Sequence, residues 1–134
     1  MKHICVVTAL AVTAACGGSP GESADQIELH RVRSGDLDIV LLSSDGSITH
    51  GKDAFTVEFR RGDALVDVGT VKAAATMPMA GMAPMMGSVF LEGGDVPGRF
   101  RADTDLSMSG GWNLTIEWDG PAGVGTASFP AIVD

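Results

Sequence analysis

The sequence predicts an all-β fold, an antiparallel immunoglobulin-like β-sandwich of seven or eight strands. Apolar and polar residues alternate with a period of two along most of the chain after residue 26, which is the pattern of half-buried strands. Short clusters of Gly, Asp, Ser and Pro separate these runs at intervals of about ten residues, as in small sandwich domains. No window carries an apolar stripe at helical spacing. A small β-barrel is the alternative arrangement of the same strands.

The clearest strand covers residues 111–119. Trp112, Leu114, Ile116 and Trp118 alternate there with polar residues and share one face, so we expect both tryptophans to lie in the core. The same alternation, bounded by turn residues, predicts the complete set of strands at 27–33, 36–43, 54–60, 64–76, 88–92, 98–106, 111–119 and 124–132.

The first fifteen residues have the layout of a lipoprotein signal peptide. Two polar residues precede an almost wholly apolar run over 4–15, which is too short to span a bilayer as a helix. The run ends in Ala14-Ala15-Cys16-Gly17, which resembles a bacterial lipobox whose cysteine becomes the lipidated first residue. An ordinary secreted protein cleaved nearby is the alternative.

This layout divides the chain into a signal peptide (1–15), lipidated Cys16 with a Gly/Ser/Glu-rich tether (16–26), and one sandwich domain (27–134). Cleavage would also remove Cys5, so the mature chain would have no disulfide and no cysteine nucleophile. We expect a lipid-anchored protein on the periplasmic face of the cell envelope. The outer membrane is favoured where a cell has two membranes, because no aspartate follows Cys16.

Five of the seven methionines lie within ten residues, from Met77 to Met86. Two prolines and a glycine interrupt this segment, as is typical of an exposed loop. Thioether sulfur is a soft ligand that favours Cu(I), so the cluster predicts a site for Cu(I) or another soft ion, and we expect no other cofactor. Two further interpretations stand beside it: methionines fill irregular gaps in cores, or the loop is an adaptable surface for a protein partner.

Strand direction adds further candidate ligands to this loop. If each strand crosses the whole sheet, the loops near 45–53, 77–86 and 107–111 lie at the same end of the fold. Met77 or Met86 could instead cap the core, and Met108 could pack on Trp112 through its sulfur. The candidate metal ligands at this rim are Met77, Met79, Met82, Met85, Met86, Met108 and His50.

Other classes of function fit the sequence poorly. The formal net charge is −8, whereas nucleic-acid binding needs a basic face. The sequence has neither a P-loop nor a dinucleotide-binding glycine pattern. The acid pairs Asp36/Asp38 and Asp103/Asp105 are typical of solvated strand surfaces. We therefore expect neither a nucleic-acid partner nor enzyme activity.

Residues 77–118 resemble a known family. Met77-Pro78 ends a strand and opens the methionine loop, Pro97-Gly98-Arg99-Phe100-Arg101-Ala102 follows the next strand, and Met108-Ser109-Gly110-Gly111-Trp112 precedes the clearest one. These segments are similar to the YtkA-like domain, which is related to the FixH-like family, and the resemblance extends over about residues 36–133. It implies a sandwich-like extracytoplasmic domain, carried by lipoproteins or attached to heavy-metal efflux proteins.

The resemblance also implies a function. FixH-like relatives are associated with copper delivery to respiratory oxidases, so Met77 and Met108 are the first implied ligands and an efflux or respiratory membrane protein is the implied partner. Many relatives have a histidine in or after the methionine loop, whereas this chain has Pro84-Met85-Met86-Gly87, which favours an all-thioether site. The prediction is metal handling or delivery. The alternative is a non-metal module that docks on such a membrane protein through the methionine loop.

Overall fold

The computed structural model describes residues 25–94 and 96–134, and every regular element within these ranges is a β-strand. This confirms the predicted all-β class. The described ranges contain no helix with the length and apolarity needed to cross a bilayer. The predicted signal peptide, Cys16 and most of the tether lie outside the described residues.

Nine strands occur within the described ranges, and their pairing is antiparallel throughout. They run in the spatial order β1-β2-β3-β7-β6-β5-β8-β9, with the short β4 paired to β3. The strands are β1 (Ile27–Ser34), β2 (Leu37–Ser43), β3 (Gly51–Arg61), β4 (Ala64–Leu65), β5 (Thr70–Met77), β6 (Met85–Gly93), β7 (Arg99–Leu106), β8 (Gly110–Gly120) and β9 (Gly123–Val133).

The single strand predicted over 64–76 is wrong, because the chain leaves one sheet for the other at residues 66–69. β4 pairs with β3, whereas β5 pairs with β8. Val68 is fully buried at this crossing. Gly69 has a φ of +74°, and a Cβ there would lie 2.7 Å from Cα of Gly120, so the crossing needs a residue without a side chain.

Strand β6 belongs to both sheets. Residues Met85–Gly87 pair with β5, and residues 88–93 pair with β7. The strand thereby joins a first sheet of β1, β2, β3, β4 and β7 to a second sheet of β5, β8 and β9. On the opposite side a parallel bridge between Ile48 and Val133 draws β9 toward the first sheet. The result is a sandwich that is nearly closed into a barrel. It is intermediate between the predicted sandwich and its barrel alternative.

The core is built from the inward residues of both sheets. Trp112 and Trp118 are both buried, which confirms their predicted place. The ring of Phe59 in the first sheet meets the ring of Trp118 in the second edge to face, with centroids 5.4 Å apart, and meets Phe100 similarly at 5.8 Å. Edge-to-face contacts of this kind stabilise a core beyond the area that they bury.

A buried carboxylate lies on the outer face of the first sheet. Glu58 is 1% exposed; its Oε1 accepts a hydrogen bond from Nε of Arg99 at 3.1 Å, and its Oε2 accepts one from Nε of Arg60 at 2.6 Å. Strand geometry dictates this arrangement, because Arg60 is two residues away on the same face and Arg99 is the register partner of Glu58 on β7. The two guanidinium groups offset the cost of burying the charge.

We expect Gly125→Ala to lower the free energy of unfolding by about 1–3 kcal/mol, because overpacking strains a filled core. Gly125 faces Trp118 across the β8–β9 pair, and an added methyl group would lie 2.6 Å from ring atom Cε2. Urea denaturation measures the change. The control is Gly111→Ala in the same strand pair, where nothing lies within 4 Å of an added methyl group. Equal losses in the two variants would contradict the packing argument.

We expect Glu58→Ala to lower the free energy of unfolding by about 1–3 kcal/mol, because it leaves two guanidinium groups facing each other without a carboxylate. The loss stays below that of a fully buried ion pair, since the Arg60 and Arg99 side chains are 22% and 18% exposed. Added salt should recover part of it by screening. The exposed Glu117→Ala is the control in the same urea experiment, and a loss no larger than the control's would refute the role of Glu58.

Candidate functional site

The three loops predicted to share one end of the fold do so. β3 begins opposite the end of β7, at the pair Gly51–Leu106. In the same way β6 begins opposite the end of β5, and β8 begins opposite the end of β9. The loops 44–50, 78–84 and 107–109 therefore lie together, at what we call the upper end. The prediction from strand direction is confirmed.

The methionine loop closes through a tight turn. The N–H of Met82 donates to the carbonyl of Met79 at 3.3 Å. Gly81 has a φ of +72°, at the turn position where a type II turn favours glycine. Met82, at the tip, is 69% exposed, whereas Met79 packs partly against the core. Most of residues 78–84 are therefore exposed, as the sequence predicts, whereas Met79 is partly covered.

Met77 and Met85 are cross-strand partners at the base of this loop. Residues directly opposite each other in an antiparallel pair project to the same face, and here that face is the core. Met77 is 8% exposed, with its terminal methyl group beside Gly110, and Met85 packs partly against the core. Met77 thus caps the upper end of the core. Its assignment as a metal ligand stays a prediction.

Met86 lies on the other face of β6. It is the register partner of Thr76 and is 64% exposed. Successive residues of a strand point to opposite faces, so the structure does not bring Met86 together with Met77 and Met85. Its assignment as a ligand also stays a prediction.

The β7–β8 loop contacts the methionine strand. The hydroxyl of Ser107 lies 2.9 Å from the sulfur of Met85. The next residue, Met108, is partly exposed, and its main-chain oxygen accepts the indole N–H of Trp112 at 3.0 Å. Trp112 therefore positions Met108 through its backbone. The main chain of Met108 is thereby fixed at the rim, one residue from the contact with Met85.

His50 stands on the same rim. Its Nδ1 lies 2.8 Å from the main-chain oxygen of Asp134 and 3.3 Å from the hydroxyl of Ser109. A carbonyl oxygen accepts but does not donate, so Nδ1 carries the hydrogen of the neutral ring and Nε2 carries the lone pair. Metal-binding histidines commonly have their other ring N–H held in this way. The arrangement leaves Nε2 suited to bind a metal ion.

Polar contacts brace the loop that carries His50. The hydroxyl of Ser43 bonds to the carboxylate of Asp45 and lowers the pKa of Asp45 below its ordinary value, with the N–H of Ser47 acting in the same direction. Asp53 accepts the N–H of Thr49 at 2.8 Å and its hydroxyl at 3.1 Å. Because Thr49 precedes His50, these bonds limit the movement of the main chain that carries His50.

Sequence reasoning missed the two serines that link the rim. Ser107 and Ser109 flank Met108 and contact Met85 and His50 respectively. The signal was present: both are polar residues in a loop predicted to share the upper end with the methionines.

The side chains at the upper end that could bind a metal ion are thioethers and the imidazole of His50. Within residues 25–94 and 96–134, no group of three or more His, Cys, Asp or Glu side chains is arranged to hold a metal ion. A metal centre here would depend on thioethers, with His50 as a nitrogen ligand, and that set suits Cu(I) better than hard cations. A groove of about 590 Å³ lies elsewhere, on the outer face of the second sheet beside Lys72 and Glu117.

Fold and site together define a small, all-β sandwich domain with a methionine-bearing loop at one end. A family model described as YtkA-like matches residues 31–117, about two thirds of the chain. The chain belongs to the YtkA-like family, as the resemblance of residues 77–118 predicts. The family suggests an extracytoplasmic domain. No curated protein and no solved structure matches the chain.

We expect the neutral ring of His50 to carry its hydrogen on Nδ1, because that atom faces an oxygen that can only accept. Nitrogen-15 chemical shifts of the imidazole in alkaline solution distinguish the two tautomers. His30, on β1, provides the internal reference in the same spectrum. A hydrogen on Nε2 of His50 would contradict the geometry and remove the lone pair proposed for metal binding.

Proposed function

We propose that this protein is a lipid-anchored protein of the cell envelope that binds Cu(I) or another soft metal ion at its upper end, for metal handling or delivery. The observation that carries the proposal is the contact of 2.9 Å between Ser107 and the sulfur of Met85. It joins the methionine loop to the loop that bears Met108, so that sulfurs far apart in the sequence lie at one rim.

The proposed ligands are Met85, Met108 and Nε2 of His50. Met85 begins β6, Met108 lies in the β7–β8 loop and His50 lies in the loop before β3. Met79 or Met82 can complete the set from the turn above. Met108 and His50 are accessible at the rim, which suits an ion that must be received and passed on. Soft sulfur ligands bind Cu(I) without cysteine, a residue that would oxidise in an extracytoplasmic compartment.

The proposed role is non-catalytic. A bound ion would be stored or transferred to a membrane protein of an efflux or respiratory system, which is the partner that the family resemblance implies. The anchor proposed at Cys16 would keep the domain close to such a protein.

We expect the full-length chain to compete with a colorimetric chelator for Cu(I) under anaerobic, reducing conditions. The double substitution Met85→Leu and Met108→Leu should raise the Kd at least about tenfold, because it removes two thioether ligands. Leucine has nearly the volume of methionine, so the fold should persist.

The control is Met86→Leu, which removes the same chemistry from the opposite face of β6. It should leave the Kd unchanged. Wild-type affinity in the double variant, or an equal loss in the control, would refute the site. His50→Ala in the same titration separates a mixed site from an all-thioether site, because only the mixed site loses affinity.

A second candidate function is an interaction module that binds no metal. The strong exposure of Met82 at the loop tip favours it, since an apolar tip suits a protein contact. Capture of a partner from native membranes distinguishes the two functions. A purely apolar contact should persist in the Met82→Leu variant and in the double variant. A metal-dependent contact should disappear in the double variant, which no longer binds Cu(I).

A further inference from the structure

The exposed apolar side chains of the domain are concentrated at the upper end. Among the described residues, the large hydrophobic side chains with high exposure are Ile27, Met82, Met86, Phe90, Met108, Val124 and Ile132. Val124 lies at the opposite, lower end of the domain, and Phe90 lies midway along β6. The other five lie at the upper end, including Ile132, which pairs with Gly111 at the start of β8.

Two of the segments that form this apolar surface contain no charged side chain. Residues 78–88 and 107–113 contain no Asp, Glu, Lys or Arg. The charged residues at this end, Asp45, Asp53 and Asp134 among them, lie outside these two segments. The exposed apolar side chains of these two segments are suited to the boundary between lipid headgroups and acyl chains.

The chain enters the domain at this same end. Ile27, the first residue of β1, pairs with Ser43, the last residue of β2, and the side chain of Ile27 lies against Gly46 of the 44–50 loop. The segment that connects the domain to the proposed anchor at Cys16 therefore joins the domain beside the apolar surface.

The length of that connection favours one orientation. Ten residues, 17–26, separate Cys16 from Ile27, and a segment of this length spans at most roughly 36 Å. Strands β8 and β9 have 11 residues each, which corresponds to roughly 37 Å. Pointing the lower end at the membrane would require the whole segment to stretch along the domain, whereas pointing the upper end at the membrane requires no stretching.

We propose that the upper end docks on the lipid bilayer, with Met82, Met86 and Ile132 in the interfacial layer. This inference rests on the anchor of the proposed function but not on metal binding. The occupant is the lipid itself, in a neutral, zwitterionic membrane, because Asp45, Asp53 and Asp134 at this end disfavour anionic headgroups. The metal rim then opens toward the membrane, where a membrane-embedded acceptor is within reach.

The test uses the full-length, lipidated protein in phosphatidylcholine vesicles. Single substitutions Met82→Cys and Ile132→Cys, each labelled with a polarity-sensitive dye, report on the upper end. Val124→Cys, at a position that is 80% exposed, is the matched control at the lower end. Acylation blocks the thiol of Cys16, and mass spectrometry of the intact chain verifies it.

We expect spin-labelled lipid to quench the dyes at positions 82 and 132 several-fold more than the dye at position 124. Equal quenching at the three positions, or stronger quenching at 124, would overturn the orientation. Quenching that requires native membranes and is absent from pure lipid would assign the surface to a protein and also overturn it. A chain without acylated Cys16 removes the premise and overturns it too.

The failure of this inference is distinguishable from the failure of metal binding. Cu(I) titration of the vesicles that carry the Ile132→Cys variant, which keeps every proposed ligand, measures the metal site separately from the quenching. Upper-end quenching without Cu(I) binding leaves the docking intact and refutes the metal site. Cu(I) binding without upper-end quenching refutes the docking and leaves the metal site intact.

Discussion

The antiparallel pairing of β3 with β7 determines where the candidate ligands lie. Because Gly51 is opposite Leu106, the loop before β3 and the loop after β7 meet at one end, and His50 comes within reach of Ser109. The register of β5 with β6 then selects which methionine faces inward. A slip of one residue would exchange the places of Met85 and Met86. Which candidate ligands lie together at the upper end therefore depends on strand register more than on the sequence of the loops.

Stability and candidate chemistry occupy different parts of the molecule. The Phe59–Trp118 contact joins the two sheets toward the lower end, and the Glu58 ion pairs tie β3 to β7 on the outer face. The upper end of the core contains the flexible side chain of Met77 as well as the ring of Trp112. A methionine side chain adapts to a ligand more readily than an aromatic ring does.

Much of the fold follows from the alternation of the sequence. Period-two runs predict most of the strands, both core tryptophans and, through strand direction, the meeting of three loops. The pattern does not reveal where the chain changes sheets, because a strand that crosses between sheets has the same alternation as one that does not. The break at 66–69 and the sharing of β6 were therefore not predictable. The tautomer of His50 depends on Asp134, 84 residues away, and local sequence carries no sign of it.

The double membership of β6 has a consequence for how the domain opens. Neither sheet is complete without this strand, so amide protection in one sheet should be lost together with protection in the other, in a single cooperative event. Local unfolding in the middle of the molecule therefore cannot expose one sheet while the other stays intact. Local opening then costs the least free energy at the ends of the strands. The methionine loop lies at one of these ends.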